Sequence, residues 1–158
     1  MSHKAVREFI RDTAKLVRDD INFYACREST FNVLPGREFP AFLLKPLRYD
    51  IERVNTTNNR VYKCALVVYV LDSMEGDEVE TQDALDKTDE YLTPFQAKIN
   101  QRILDPEDGE ELLNADTIEI RNERAVTRIK QTTENMTGWE YTFDLIVPDQ
   151  FSYCAIYD

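Results

Sequence analysis

From Trp139 to Val147 the chain alternates apolar and polar residues without a break. Trp139, Tyr141, Phe143, Leu145 and Val147 share one side, and Glu140, Thr142 and Asp144 share the other. Successive side chains of a strand leave opposite faces, so this segment is expected to be a strand with one face in a core and the other facing water or a partner. Asn135, Met136, Thr137 and Gly138 read as the turn that feeds it, and Pro148 as its stop. A second constraint lies at Val61 to Leu71, whose centre runs Ala65, Leu66, Val67, Val68, Tyr69, Val70, Leu71. A strand apolar on both faces belongs in the middle of a sheet.

The layer that covers such a sheet is legible as two helical patterns. Val6, Phe9, Ile10, Thr13, Leu16, Val17 and Ile21 recur at helical spacing, with Arg7, Glu8, Arg11, Asp12, Lys15 and Arg18 opposite. Ala84, Leu85, Thr88, Tyr91, Leu92, Phe95, Ile99 and Ile103 form the second pattern, with Thr81 as its expected N-cap. Pro94 falls inside it, and since proline removes a helical hydrogen bond, a break there is expected. The Trp139 to Val147 face is predicted to pack on the helix that carries Leu85, Leu92 and Phe95.

Between these elements, Asn22 to Pro40 reads as a long connection, longer than folding needs. Phe39 to Val54 reads as strand, with Pro46 marking an edge or a bulge because it cannot donate to a ladder. The polar run Asn55, Thr56, Thr57, Asn58, Asn59 reads as a hairpin tip, and Thr117 to Ile120 and Ala125 to Ile129 as two short strands. The fold class that follows is α+β in a single domain over 1–158: an antiparallel or mixed sheet of about five strands, with an N-terminal helix and a central broken helix on one face. Asp149 to Asp158 forms a C-terminal extension. It carries Phe151, Tyr153, Ile156 and Tyr157, and an end this aromatic is expected to dock on its own sheet or on a neighbouring subunit.

Charge bounds the partners. The 30 acidic residues against 19 basic ones leave a net charge of −11, and an overall negative field repels phosphates, which argues against tight nucleic-acid binding. No segment reaches the roughly 18 apolar residues of a membrane span. Arg7, Glu8, Arg11 and Asp12 interrupt what would be the apolar part of a secretory signal in Met1 to Asp12. Cys26, Cys64 and Cys154 are widely spaced, which predicts reduced thiols and no zinc or redox pair.

Catalytic and ligand-binding constellations are not found. His3 is the single histidine and lies at an end expected to fray, and Gly36, Gly76, Gly109 and Gly138 are dispersed, so no phosphate-cradling loop exists. The acidic loop Asp105, Pro106, Glu107, Asp108, Gly109, Glu110, Glu111 suggests calcium until its spacing is checked. With Gly109 at the turn position, Leu104, Pro106 and Ala115 would occupy ligand positions, and none offers a side-chain oxygen. No metal, cofactor or catalytic residue is expected.

The segments KAVREFIRDTAKLVRDDINFY, FPAFLLKPLRYDIE, YKCALVVYVLDS and WEYTFDLIVPDQFSYC, in the order helix, loop, hairpin, acidic linker, broken helix and three strands, give the chain its character. In that order it resembles the tail terminator, or tail-completion, proteins of long-tailed bacteriophages, and in style the neck and tail-completion proteins of phages of gut bacteria, including the crAss-like group. The resemblance covers nearly the whole chain as a pattern of elements and carries no short motif. It implies a structural virion protein without catalytic residues. Such a protein is made in the bacterial host cytoplasm and forms a six-fold or twelve-fold ring around the DNA path, beside neck, portal or tail proteins.

Rings need contacts between unlike faces of one subunit. The residues expected to make them are Asn55, Thr56, Thr57, Asn58 and Asn59 at the hairpin tip, the long loop Asn22 to Pro40, and Phe151, Tyr153 and Tyr157 in the extension. Two other classes compete with this reading: a soluble intracellular non-enzymatic binding module, and a hydrolase using paired carboxylates.

Overall fold

The computed structural model describes residues 3–54, 57–71, 78–104, 118–128 and 136–148. The elements are α1 (His3–Val17), β1 (Asn22–Ala25), α2 (Glu28–Val33), β2 (Ala41–Leu44), β3 (Arg48–Val54), β4 (Thr57–Leu71), α3 (Glu78–Leu104), β5 (Glu119–Arg128) and β6 (Met136–Pro148). The fold is α+β: a mixed six-stranded sheet in the order β1-β2-β4-β6-β5, with β3 also on β4, and with α1 and α3 packed against it. Among the described strands, only the β1–β2 pair is parallel.

The two strands that carry the strongest sequence patterns form the centre, paired from Asn59↔Pro148 to Leu71↔Met136. Tyr141, Phe143, Leu145 and Val147 of β6 and Tyr62, Cys64, Leu66 and Val68 of β4 enter the main core with Leu92, Phe95, Ile99 and Ile103 of α3 and Val6, Phe9 and Ile10 of α1. The expected packing of the β6 face on α3 is therefore present, and the half-buried Trp139 adds a hydrogen bond from its Nε1 to the Leu85 carbonyl at 3.2 Å. On the other sheet face, α2 lowers Phe31 onto Ala41, Leu43, Val67, Tyr69 and Met136 in a smaller cluster.

Several boundaries differ from the sequence expectation. Asn22–Pro40 is not a spare connection, because it holds β1 and α2 and supplies Phe23, Tyr24 and Phe31 to the two clusters. A parallel pair is stabilised by partners far along the chain, so four residues of β1 leave little local signal. α1 ends at Val17 and leaves Leu16 57% exposed, while Ile21 reaches the core from the following segment.

α3 is one helix through Pro94, and it starts at Glu78, before the expected cap Thr81. Pro94 lies on the exposed side, where the carbonyl it leaves unpaired meets water, and the buried Tyr91, Leu92, Phe95 and Ile99 hold the helix down on both sides of it. Thr93 bonds its hydroxyl to Asp89 Oδ1 at 3.0 Å and caps no second helix. β6 begins at Met136, so Met136, Thr137 and Gly138 lie in the strand and not in a turn.

Two bulges set which side chains face the helices. Leu44 opposes Leu66 and Arg48 opposes Lys63, and the Lys45 amide donates to the Ala65 carbonyl at 3.0 Å, so Pro46 and Leu47 together oppose Cys64. One extra residue at the position that cannot donate moves the inward set from Phe42 and Leu44 to Leu47 and Tyr49. The second bulge joins the two short strands expected near the C-terminus into β5: the register shifts between Arg121 and Arg124, with Asn122 at φ 57°. Asparagine tolerates this left-handed conformation better than most residues.

Candidate subunit interface

β4 and β6 are paired along both sides, but β5 pairs only with β6, and β3 only with β4. Among the described residues, the outer edges of β5, β3 and β1 carry no further strand. β5 is exposed from Arg121 through Thr127, and β3 is exposed at Arg48, Tyr49, Asp50, Ile51 and Arg53. Between β5 and α3 lies an open groove of about 420 Å3, lined by Thr93, Ala97, Asn100, Glu123, Ala125 and Tyr141 among others. The Tyr141 hydroxyl donates to Glu123 on its wall, and burial together with that carboxylate pushes the Tyr141 pKa up.

The β3–β4 ladder reaches further along the polar run than the sequence suggests. Val54 opposes Thr57, and Asn58 and Asn59 are ladder residues opposite Arg53 and Glu52. Asn59 also opposes Pro148, the last residue of β6, so these two residues share one end of the sheet. Asn58 is exposed there. Asn55, Thr56, Phe151, Tyr153 and Tyr157 lie outside the described residues, as do Cys154 and the loop Asp105 to Glu111.

The sheet face away from α1 and α3 is covered at one end by α2, and beyond it carries mainly polar residues around the buried pair Val61 and Ile146. Glu28, Lys45, Glu140 and Arg128 form a closed ring of alternating charge. Lys45 Nζ lies 3.1 Å from Glu28 Oε2 and 2.7 Å from Glu140 Oε1, and Arg128 pairs with Glu28 and, at 3.4 Å, with Glu140. Tyr69 donates to Glu28 Oε1 at 3.1 Å, and burial, reinforced by that carboxylate, pushes its phenol up to about 12. Burial opposes the Glu28 carboxylate, yet hydrogen bonds from Arg128 and Lys45 outweigh it and hold the pKa below the usual value. Asp144 behaves alike: burial is outweighed by Lys63, 2.7 Å away, and by the Asn122 amide at 2.8 Å. Nearer the hairpin end Arg121 of β5 reaches Glu52 of β3 at 3.9 Å, so the sheet curls enough for its two sides to meet across β4 and β6.

Apart from Arg128 Nε, which is buried without a hydrogen-bond partner among the described residues, these groups satisfy one another, which suits them to fix α2 and the sheet curl. His3 lies at the start of α1 with its ring 5.2 Å from that of Tyr49 and 5.4 Å from that of Tyr62. The Cys64 thiol is pushed up to about 12, first by burial and then by Asp144, which keeps it protonated. Among the described residues no group of three or more His, Cys, Asp or Glu could hold a metal ion, and no helix is long and apolar enough to cross a membrane.

Charge is unevenly divided. Of the 30 acidic and 19 basic residues, 12 acidic and one basic (Lys130) lie outside the described segments, which leaves the framework with 18 of each. The excess negative charge thus belongs to 72–77, 105–117 and 149–158. Six of those acidic residues, and no basic one, fall in 105–117. Comparison of the sequence with protein-family models and with curated proteins gives no match in either.

The edge residues Glu123 and Arg124 were not singled out from sequence. Charged residues on a short strand read as an ordinary solvated face, and the edge position of β5 follows only from the long-range order of the sheet.

Proposed function

We propose that the chain is a structural, non-catalytic virion protein that closes into a ring at the head-tail junction or tail end of a bacteriophage. The observation that supports this best is the sheet with two open sides of different sequence, β3 on one and β5 on the other. Identical subunits joined through unlike surfaces generate closed rings or open filaments. A six-fold or twelve-fold ring completes the tail, surrounds the DNA path and abuts neck, portal or tail proteins.

The neutral framework with its excess carboxylates in a few connecting segments suits that role, since such segments repel a passing phosphate backbone without requiring an acidic core. Electron microscopy of the assembled particle with an antibody or fusion label on this chain is the test. Label in a rotationally symmetric ring at the neck or tail is the expected result. Label absent from the particle, with the chain monomeric in infected cells, would favour the intracellular binding module instead.

A further inference from the structure

We infer that β5 of one copy adds as a strand to β3 of the next, antiparallel, with Glu123 opposite Arg53 and Arg124 opposite Glu52. The inference rests on the ring reading and names the surfaces that close it.

Strand direction comes first. β3 and β6 both run antiparallel to β4, and β5 runs antiparallel to β6, so β5 and β3 point opposite ways in the same sheet. Repeating the subunit head to tail therefore brings a β5 edge beside an antiparallel β3 edge, and an antiparallel neighbour completes a regular ladder.

Side-chain parity agrees. Beyond the Pro46–Leu47 bulge the odd residues of β3 face the helix layer, as the Tyr49 ring beside Tyr62 shows. Beyond the Asn122 bulge the odd residues of β5 do so too, as the Tyr141–Glu123 hydrogen bond shows. Residues directly opposite in a ladder share a face. Glu123 with Arg53 and Arg124 with Glu52 meet that condition while placing opposite charges together.

The same register sets Ile51, 61% exposed, opposite Ala125, at the mouth of the groove lined by Ala97 and Ala125. A large exposed side chain thereby meets a small one with room beside it. Arg53 and Arg124 make no ion pair among the described residues, so the contact costs neither of them a partner. Two-fold pairing of β5 with itself, centred on Glu123 or on Arg124 with the helix layers on one side, would instead oppose like charges.

The test is cysteine cross-linking in the full-length chain with Cys26 and Cys154 replaced by Ser. Directly opposed Cα atoms are about 4.5 to 5.5 Å apart, within disulfide range. Glu123→Cys combined with Arg53→Cys is expected to give a ladder of covalent oligomers on mild oxidation, and Glu123→Cys with Asp50→Cys is not. As a second readout, Arg124→Glu or Glu52→Arg alone should weaken association at least roughly tenfold, and the two together should restore it.

Closed rings seen by electron microscopy, but without the ladder or the charge rescue, would overturn this pairing and leave the ring reading standing. Covalent dimers from Glu123→Cys alone would replace it with two-fold pairing. A chain that stays monomeric and uncrosslinked up to millimolar concentration, and is missing from the particle, would remove both.

Discussion

Gly138 and Val68 approach more closely than any side chain permits: a Cβ on Gly138 would lie 1.6 Å from the Val68 carbonyl oxygen. Gly138 faces Tyr69 in the central ladder, so the obstruction is backbone that cannot move without opening β4 from β6. Gly138→Ala should therefore cost at least about 3 kcal/mol, the upper end of overpacking. Gly36, at φ 71° with nothing within 4 Å of its Cβ position, faces only conformational strain, and Gly36→Ala should cost about 1 to 2 kcal/mol. Urea unfolding of both variants decides the matter. Equal losses would show that the close approach at Gly138 relaxes.

The Phe143 side chain is 1% exposed and its ring lies 4.8 Å from that of Tyr141, which in turn meets Phe95 of α3 edge-on. Phe143→Ala removes the centre of this layer and should cost about 3 to 5 kcal/mol. A measured loss below about 1 kcal/mol would put the β6 face outside the core.

How far these elements were readable from sequence depends on what stabilises each. β4, β6, α1 and α3 bury a stripe or face of their own, so apolar spacing reveals them. β1 and α2 exist because distant strands receive them, and their few residues carry no period of their own. Pro46 announced its bulge by chemistry, whereas Asn122 did not, because a single asparagine among charged residues fits equally well in straight strand. Each bulge also switches which residues face inward, which is why β5 read as two pieces. The hairpin tip was legible as a polar run, but the edge pair Glu123 and Arg124 was not, since an edge is defined by which strand is missing beside it.

The ring of Glu28, Lys45, Glu140 and Arg128 makes stability depend on acid in a defined direction. Glu28 and Asp144 both have depressed pKa values in the folded chain, so the unfolded chain binds more protons than the folded one in acid. Their contribution is complete above the unfolded values of about 4 and is lost as pH falls through the lower folded values. The melting temperature should be nearly flat from neutral pH to about 5 and then fall. Glu28→Gln should cost about 1 to 3 kcal/mol at neutral pH and flatten part of the acid decline. A variant with an unchanged acid profile would show that Glu28 does not contribute to it.

The extension beyond Pro148 offers the most direct link between the fold and assembly. Pro148 is the last residue of β6 and closes the ladder against Asn59, so removing 149–158 deletes none of the described strands. The truncated chain should therefore melt within a few degrees of the full-length protein, since about 1 kcal/mol shifts the midpoint of a domain this size by roughly 2 to 4 °C. If Phe151, Tyr153 and Tyr157 contact a neighbour, the loss should appear as weaker association and unsealed particles. Calorimetry and electron microscopy on one preparation separate the outcomes. A drop of more than about 10 °C would assign the extension to the subunit's own fold, whereas normal melting with normal rings would remove it from the interface and leave the β3 and β5 edges to hold the ring.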